Sequence, residues 1–396
     1  MTQTPLANRK HVAVFGKTNA GKSTLFNAIL GQDAAIVSEQ KGTTTDPVIR
    51  AMELLPYGPI ALVDTAGLGD ETALGAARVK RTEKMLERTD LALFAAEAAA
   101  FSRREYEEAL PLFRRWEVPC LLVLTKADLC PPEALKSLRE SEPEAIFVSE
   151  KDASSILALK SRVSELLSAG EEEQTLLGGL LQEGDAAVLV TPIDSEAPKG
   201  RLILPQVQLI RDCLDHGVQA VVCRETELEA ALRNTKTVRL VVTDSQAFRY
   251  VSERVPEEIP LTSFSILFGR FKGSIEDYVA GARALGTLQD GDRIAVTEGC
   301  THNRTHEDIG RVKLPAAIRK RTGRELTFDF FSGHDFPEDL SVYRMVIQCG
   351  GCMQSRREVL NRIRRCREAG VAITNYGTML AELTGILDRS VRILRL

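Results

Sequence analysis

Aromatic residues are scarce in this chain, 5% of it with a single tryptophan, and there is no surplus of positive charge. Its 51 Lys and Arg are outnumbered by 55 Asp and Glu, for a net charge of −4. Nucleic-acid binders need basic faces, often with stacking aromatics between them, so this composition argues against nucleic acid as the main partner. No apolar run reaches the roughly 20 residues that cross a bilayer, and Met1 to Lys10 has no apolar signal core. The expectation is a cytoplasmic location with no membrane partner. Eight cysteines in 396 residues do not make a disulfide framework there; some are candidates for metal ligation. What remains is an ordinary globular composition, 44% hydrophobic and 27% charged, long enough for two or three domains.

The stretch that organises the chain is Gly16-Lys17-Thr18-Asn19-Ala20-Gly21-Lys22-Ser23-Thr24, between the apolar runs His11–Phe15 and Leu25–Leu30. Strand, glycine-rich loop and helix in that order, with the spacing G-x-x-x-x-G-K-[ST], make a phosphate-binding loop. Glycine lets backbone amides close round a phosphate because no Cβ blocks the approach. The helix adds its unpaired N–H groups. Lys22 is expected to reach the β- and γ-phosphates, and Ser23 to hold Mg²⁺. Downstream, Val48–Leu55 and Ile60–Val63 flank a Pro56-Tyr57-Gly58-Pro59 turn and read as a hairpin ending in Asp64-Thr65-Ala66-Gly67. Asp64 at that strand end can orient Mg²⁺ through water, and the Gly67 N–H can reach the γ-phosphate. Leu91–Ala95 and Cys120–Leu124 read as buried strands, the second running into Thr125-Lys126-Ala127-Asp128. Ala145–Val148 reads as the last strand before Ser149 and a helix to about Leu167.

These boxes in this order resemble the translation-factor-like GTPases and, within them, the group that includes the tRNA-modifying GTPase TrmE and Era. The resemblance implies that Asp128 reads guanine by accepting from its N1–H and 2-amino group, with Thr125, Lys126 and Ser149 supporting the base. Thr125 departs from the commoner asparagine, and Glu150 from the usual alanine. Leu68 stands where Ras-type proteins have a water-orienting glutamine. In the TrmE group an asparagine of the phosphate loop helps to bind K⁺, and Asn19 matches it. Thr44, in the polar segment ending Lys41-Gly42-Thr43-Thr44-Thr45-Asp46-Pro47, is the candidate second Mg²⁺ ligand. By this reading Lys22, Asn19 and Thr44 carry GTP hydrolysis, slow and K⁺-stimulated. Gly16, Ala20, Gly21, Ser23 and Thr24 complete the phosphate cradle.

Gly170-Glu171-Glu172-Glu173-Gln174 is a charged break. After it Ala186–Val190, Leu204–Leu214, Val218–Cys223, Glu225–Leu232, Val238–Val242 and Leu261–Leu267 alternate as strand and helix, which implies a small parallel sheet. No chemical motif falls here, and an open sheet has free edges that can pair with another copy, so this segment is expected to dimerise. Alternation continues with strands at Arg293–Thr297, Leu326–Phe331, Tyr343–Ile347 and Val371–Thr374. Cys300-Thr301-His302 follows the first, His334 the second, and Gln348-Cys349-Gly350-Gly351-Cys352 the third. In a parallel sheet those strand ends share one edge, where ligands collect. Three thiolates and an imidazole suit Zn²⁺ or an iron–sulfur cluster about equally by spacing. The two glycines between Cys349 and Cys352 let amides approach cluster sulfurs, which favours iron–sulfur.

A GTPase domain, a middle parallel sheet, and Cys-x-His followed by Cys-x-x-Cys together resemble the HydF family of FeFe-hydrogenase maturation GTPases over nearly the whole chain. Gln348 stands where that family often has histidine. The resemblance implies a 4Fe–4S cluster on Cys300, Cys349 and Cys352, with His302 a possible further ligand. It also implies a transient diiron subcluster precursor carried to apo FeFe-hydrogenase, radical-SAM maturation enzymes as partners, and a homodimer or higher assembly. The expected architecture is α/β in three domains: a P-loop GTPase over 1–170, a dimerisation domain over 171–270 and an iron–sulfur scaffold over 271–396. The rival from another class is a GTPase of RNA modification or ribosome assembly with a structural zinc site.

Overall fold

Alternation along His11–Phe15 sends Val12 and Val14 to one face of a strand and Ala13 and Phe15 to the other, and all four are buried. Such a strand has to lie inside a sheet covered on both sides. In the computed structural model, which describes residues 4–31, 47–65, 82–169, 175–193, 202–299 and 309–395, it does. The chain forms two compact units, Met1–Glu172 and Glu173–Leu396. The first holds strands β1 (Lys10–Phe15), β2 (Val48–Leu54), β3 (Gly58–Asp64), β4 (Leu91–Glu97), β5 (Cys120–Thr125) and β6 (Ile146–Phe147). They lie in the order β2-β3-β1-β4-β5-β6. The hairpin pair β2–β3 is antiparallel and every other pairing is parallel. Helices Lys22–Leu30 and Ala153–Ser168 cover the face that carries Val12 and Val14. The helix Arg103–Arg115 covers the other, with Phe113 edge-on to Phe15 and Phe94.

The second unit contains two four-stranded sheets, each wholly parallel. One is β7 (Ala186–Val190), β8 (Gln219–Cys223), β9 (Val238–Thr243) and β10 (Leu261–Ser263), in the order β10-β9-β7-β8. The other is β11 (Arg293–Glu298), β12 (Thr327–Ser332), β13 (Met345–Gln348) and β14 (Ala372–Asn375), in the order β12-β11-β13-β14. Numbered within itself, each sheet runs 2-1-3-4. Phe248 and Ile266 of the first half pack with Tyr278, Ala295 and Val346 of the second in one core. The chain is thus α/β throughout, a P-loop domain followed by two parallel-sheet domains. No helix among the described residues is long and apolar enough to cross a membrane.

The last segment of the alternation in the middle module, Leu261–Leu267, is part strand and part helix. It pairs in the sheet only as far as Ser263. Ser263 Oγ then accepts from the Ile266 N–H at 3.2 Å and caps the helix Phe264–Lys272. Phe264, Leu267 and Phe268, spaced i, i+3 and i+4, bury together, the periodicity of a helix.

Candidate functional site

The nucleotide site grows from the turn after β1. Gly16 has φ +144°, and a Cβ there would sit 2.2 Å from the Ala95 carbonyl oxygen on β4, so only glycine fits. Asn19 takes φ +66° and Gly21 φ +79°, curling the loop onto the start of the helix Lys22–Leu30. Lys22 is buried and its Nζ donates to the Lys17 carbonyl at 2.6 Å. Burial pulls its pKa below the usual lysine range, and Asp64 works against that pull. Ser23 Oγ donates to Asp64 Oδ2 at 2.7 Å, so the two residues expected around Mg²⁺ from opposite ends of the motif meet. Thr44 and Gly67 lie outside the described residues, as does Leu68.

The base side is built by the turn after β5. Thr125 Oγ1 lies 2.9 Å from the Ala20 carbonyl and 3.2 Å from that of Ala96, so the threonine ties this turn to the phosphate loop. Lys126, at φ +53°, lays its Nζ 2.6 Å from Glu97 Oε2 and 3.4 Å from the Asn19 carbonyl. Asp128 accepts from Lys151 Nζ and from Ser149 Oγ, each at 2.8 Å. Those two bonds, the lysine first, hold its carboxyl below the usual carboxylate range. Beside it lies a cavity of about 220 Å³ lined by Gly21, Thr24, Thr125, Asp128, Glu150 and Lys151 among others. Sequence reasoning missed Glu97 and Lys151. For Lys151 the signal was its place two residues beyond Ser149; for Glu97 there was none, since only the sheet order brings β4 beside β5.

The cysteine site lies at the carboxyl edge of the last sheet. β11 and β13 are neighbours there, and the connections leave them in opposite directions, the switch point where open parallel sheets hold ligands. Cys349 follows β13 directly, and its N–H donates to the Thr297 carbonyl of β11 at 2.9 Å. The Gly299 N–H in turn lies 3.1 Å from Cys349 Sγ. Gly351 takes φ +66°, and Ser355 caps the following helix Arg356–Glu368 by accepting from the Glu358 N–H at 3.2 Å. Under the loop Lys272 Nζ donates to the carbonyls of Gly351, Cys352 and Gln354 at 3.2, 3.3 and 2.8 Å. Burial draws that ammonium down to about 8 against the opposing pull of Cys352, Cys349 and Glu358.

Cys300 and His302 lie outside the described residues. Among the described residues no three His, Cys, Asp or Glu side chains gather as a metal-binding group. His334 gives its Nδ1 to the buried Glu358 carboxylate at 3.0 Å. Gln348 is buried, its amide nitrogen donates to the Tyr278 hydroxyl, and its Oε1 has no partner among the described residues. Two thiols, a backbone N–H on one sulfur, small residues between the cysteines and a buried cation beneath them suit an anionic, thiolate-bound metal group.

Three family models match. Residues 11–126 match a 50S ribosome-binding GTPase domain, residues 176–273 the hydrogen maturase F dimerization domain, and residues 276–393 the hydrogen maturase F tetramerization domain. The N-terminal unit thus carries a GTPase domain. GTPase Der of Nitratiruptor is 33% identical over 140 residues, 34% of this chain and 30% of that protein. The tRNA modification GTPase MnmE of Treponema denticola is 32% identical over 169 residues, 40% of this chain and 35% of that protein. The chain spans about a third of the length of these relatives. Solved structures with some likeness include Era of Aquifex aeolicus bound to GDP·AlF4⁻, 17% identical, TM-score 0.33, covering 82% of this chain and 93% of that one. The G domain of the Thermotoga maritima FeoB iron transporter is 23% identical, TM-score 0.32, covering 40% and 99%.

Proposed function

Because the chain belongs to the hydrogen maturase F (HydF) family, we propose that it is a GTP-hydrolysing iron–sulfur scaffold that carries a diiron subcluster precursor to apo FeFe-hydrogenase. The observation that carries the reading is the joint presence of a GTPase domain, both HydF modules, and the pair Cys349 and Cys352 at the switch point of the last sheet. In the nucleotide site Lys22 meets the γ-phosphate charge, Ser23 and Thr44 hold Mg²⁺ with Asp64 behind them, and Asp128 reads guanine. Asn19 helps to hold K⁺, which supplies positive charge at the phosphates, and Leu68 stands where a water-orienting glutamine would. Cys300, Cys349 and Cys352 would hold a 4Fe–4S cluster, with His302 the candidate for a further ligand. A bound cluster would supply an iron at which a labile further ligand could give way to an incoming diiron unit. The Gly299 N–H lies 3.1 Å from Cys349 Sγ. Residues 171–270 and 271–396 serve assembly into a homodimer or a higher oligomer, and radical-SAM maturation enzymes supply the cargo.

Anaerobic purification followed by absorption spectroscopy and iron and sulfide assays tests the scaffold reading. Iron and sulfide in equal amounts are expected, and Cys300→Ala, Cys349→Ala and Cys352→Ala should each remove most of both. Bound zinc without sulfide would sink it in favour of a GTPase of RNA modification or ribosome assembly, the reading that the ribosome-binding GTPase match favours. For turnover, phosphate release should be faster in K⁺ than in Na⁺; equal rates would remove the role given to Asn19.

A further inference from the structure

Lys272 belongs to the middle module, at the end of the helix that leaves β10, yet it is 2% exposed and its ammonium lies under the cysteine loop. An ammonium has three donors, and Gly351, Cys352 and Gln354 offer three carbonyls to it. A trans peptide holds its C=O and the following N–H antiparallel. With the Gly351 and Cys352 carbonyls turned inward to Lys272, the N–H groups of Cys352 and Met353 face the other way. The lysine therefore sets which side of the loop is lined by amide donors. Outward-facing amides in a tight turn make a concave surface that favours anions. Behind them stands a fixed cation, in a place where water cannot screen it.

We propose that Lys272 is a positioning residue of the Cys349–Cys352 metal site, so that the site is built by two modules and not by the C-terminal one alone. The inference rests on the cluster reading above and concerns this chain's own residue. The side chain does two separable things. It locks the loop with its amides outward, and it places one positive charge behind the thiolates. Removing an outer-shell partner of this kind costs roughly ten- to a hundredfold in metal affinity. Removing a positive charge near a cluster also favours the oxidised state, because reduction adds negative charge.

The experiment uses the full chain and four variants: Cys349→Ala, Lys272→Met, Lys272→Gln and Lys272→Arg. Each is reconstituted anaerobically with iron and sulfide. Iron and sulfide per chain, the midpoint potential and EPR spectrum of what is bound, and the melting temperature of the metal-free protein are then measured. Cys349→Ala should lose the cluster, which checks the underlying reading by itself. Lys272→Met should lose most of the iron and sulfide. Lys272→Gln keeps a donor without the charge, and should retain more iron than Lys272→Met at a potential more negative than wild type. Lys272→Arg restores the charge and should recover the wild-type potential. Should Lys272→Met fail to fold, the Gln and Arg pair decides the matter. A folded Lys272→Gln with wild-type iron, potential and EPR spectrum overturns the proposal while leaving the cluster reading intact. If Cys349→Ala keeps a full cluster, the reading falls and the proposal with it.

Discussion

The nucleotide site and the cysteine site are both laid on the carboxyl edge of parallel strands, and each has a buried lysine beneath it. The two lysines differ in how their donors are used. Lys22 Nζ has the Lys17 carbonyl at 2.6 Å, from its own loop and five residues away. Lys272 has three carbonyls from a loop 79 to 82 residues away. A lysine with donors to give is a binding group, whose burial cost falls when an anion arrives. A lysine with three acceptors already in place is a fixture of the loop it holds. The difference extends to the backbone. The phosphate loop is pressed close to the sheet at Gly16, while the cysteine loop has space round Gly350 and is held from below.

The widest separation between the two sites should come from their glycines. Gly16→Ala puts a Cβ 2.2 Å from the Ala95 carbonyl oxygen, so the loop or β4 has to move. The expected cost is about 4 kcal/mol in urea melts, with loss of GDP binding. A stable, GDP-binding Gly16→Ala would show that the phosphate loop is no more constrained than the cysteine loop. Lys22→Ala tests the binding role. Phosphate release should fall by about 10²- to 10³-fold, while the melting temperature of the nucleotide-free protein holds or rises, because a buried charge is gone. A fall in the melting temperature with hydrolysis retained would make Lys22 a fixture like Lys272.

Thr125→Val sharpens the contrast at intermediate size. It removes the hydroxyl that lies against the Ala20 and Ala96 carbonyls, and should cost roughly 1–2 kcal/mol in melts and weaken GDP binding. No change in either would mean that the turn is tied to the phosphate loop by other groups. The smallest effect is expected at Gly350. Among the described residues a Cβ there meets only Ser265 Oγ, at 3.9 Å. Gly350→Ala should stay within about 0.5 kcal/mol of wild type and keep its iron. A larger loss would show that this loop, too, depends on its backbone being bare.

How far the sequence foretold these sites follows from how local they are. The phosphate loop is a contiguous nine-residue string whose chemistry and flanking elements are all visible together, and the hairpin to Asp64 announces itself through its turn. The strands Ala186–Val190 and Arg293–Thr297 were legible as buried runs, and their parallel pairing followed from alternation with helices. What stayed hidden depends on distance. Lys272 closes Arg270-Phe271-Lys272, which reads as the solvated basic end of a helix, and nothing nearby says that a cysteine loop will close over it. Glu97 and Lys151 look like surface charges until Lys126 and Asp128 are seen against them. At Leu261–Leu267 a continuous apolar run fits strand and buried helix alike. His334 was placed at the correct edge, yet the sequence could not show that Glu358, on the following helix, holds its Nδ1.

The shared 2-1-3-4 order of the last two sheets also sets a timetable. In each, the first strand to be synthesised is an inner one that must wait for a partner on both sides. The middle sheet can close once β10 has emerged, and its terminal helix can form with Lys272 at the end. The carbonyls that satisfy Lys272 are encoded 79 to 82 residues later. At ribosomal speeds of about 5–20 residues per second, the lysine and the apolar face beside it stand uncovered for about 4–16 s. For that interval the nascent chain displays a sticky, charged flank that is invisible in the finished protein, and a chaperone that shields it would raise the yield of correctly joined modules.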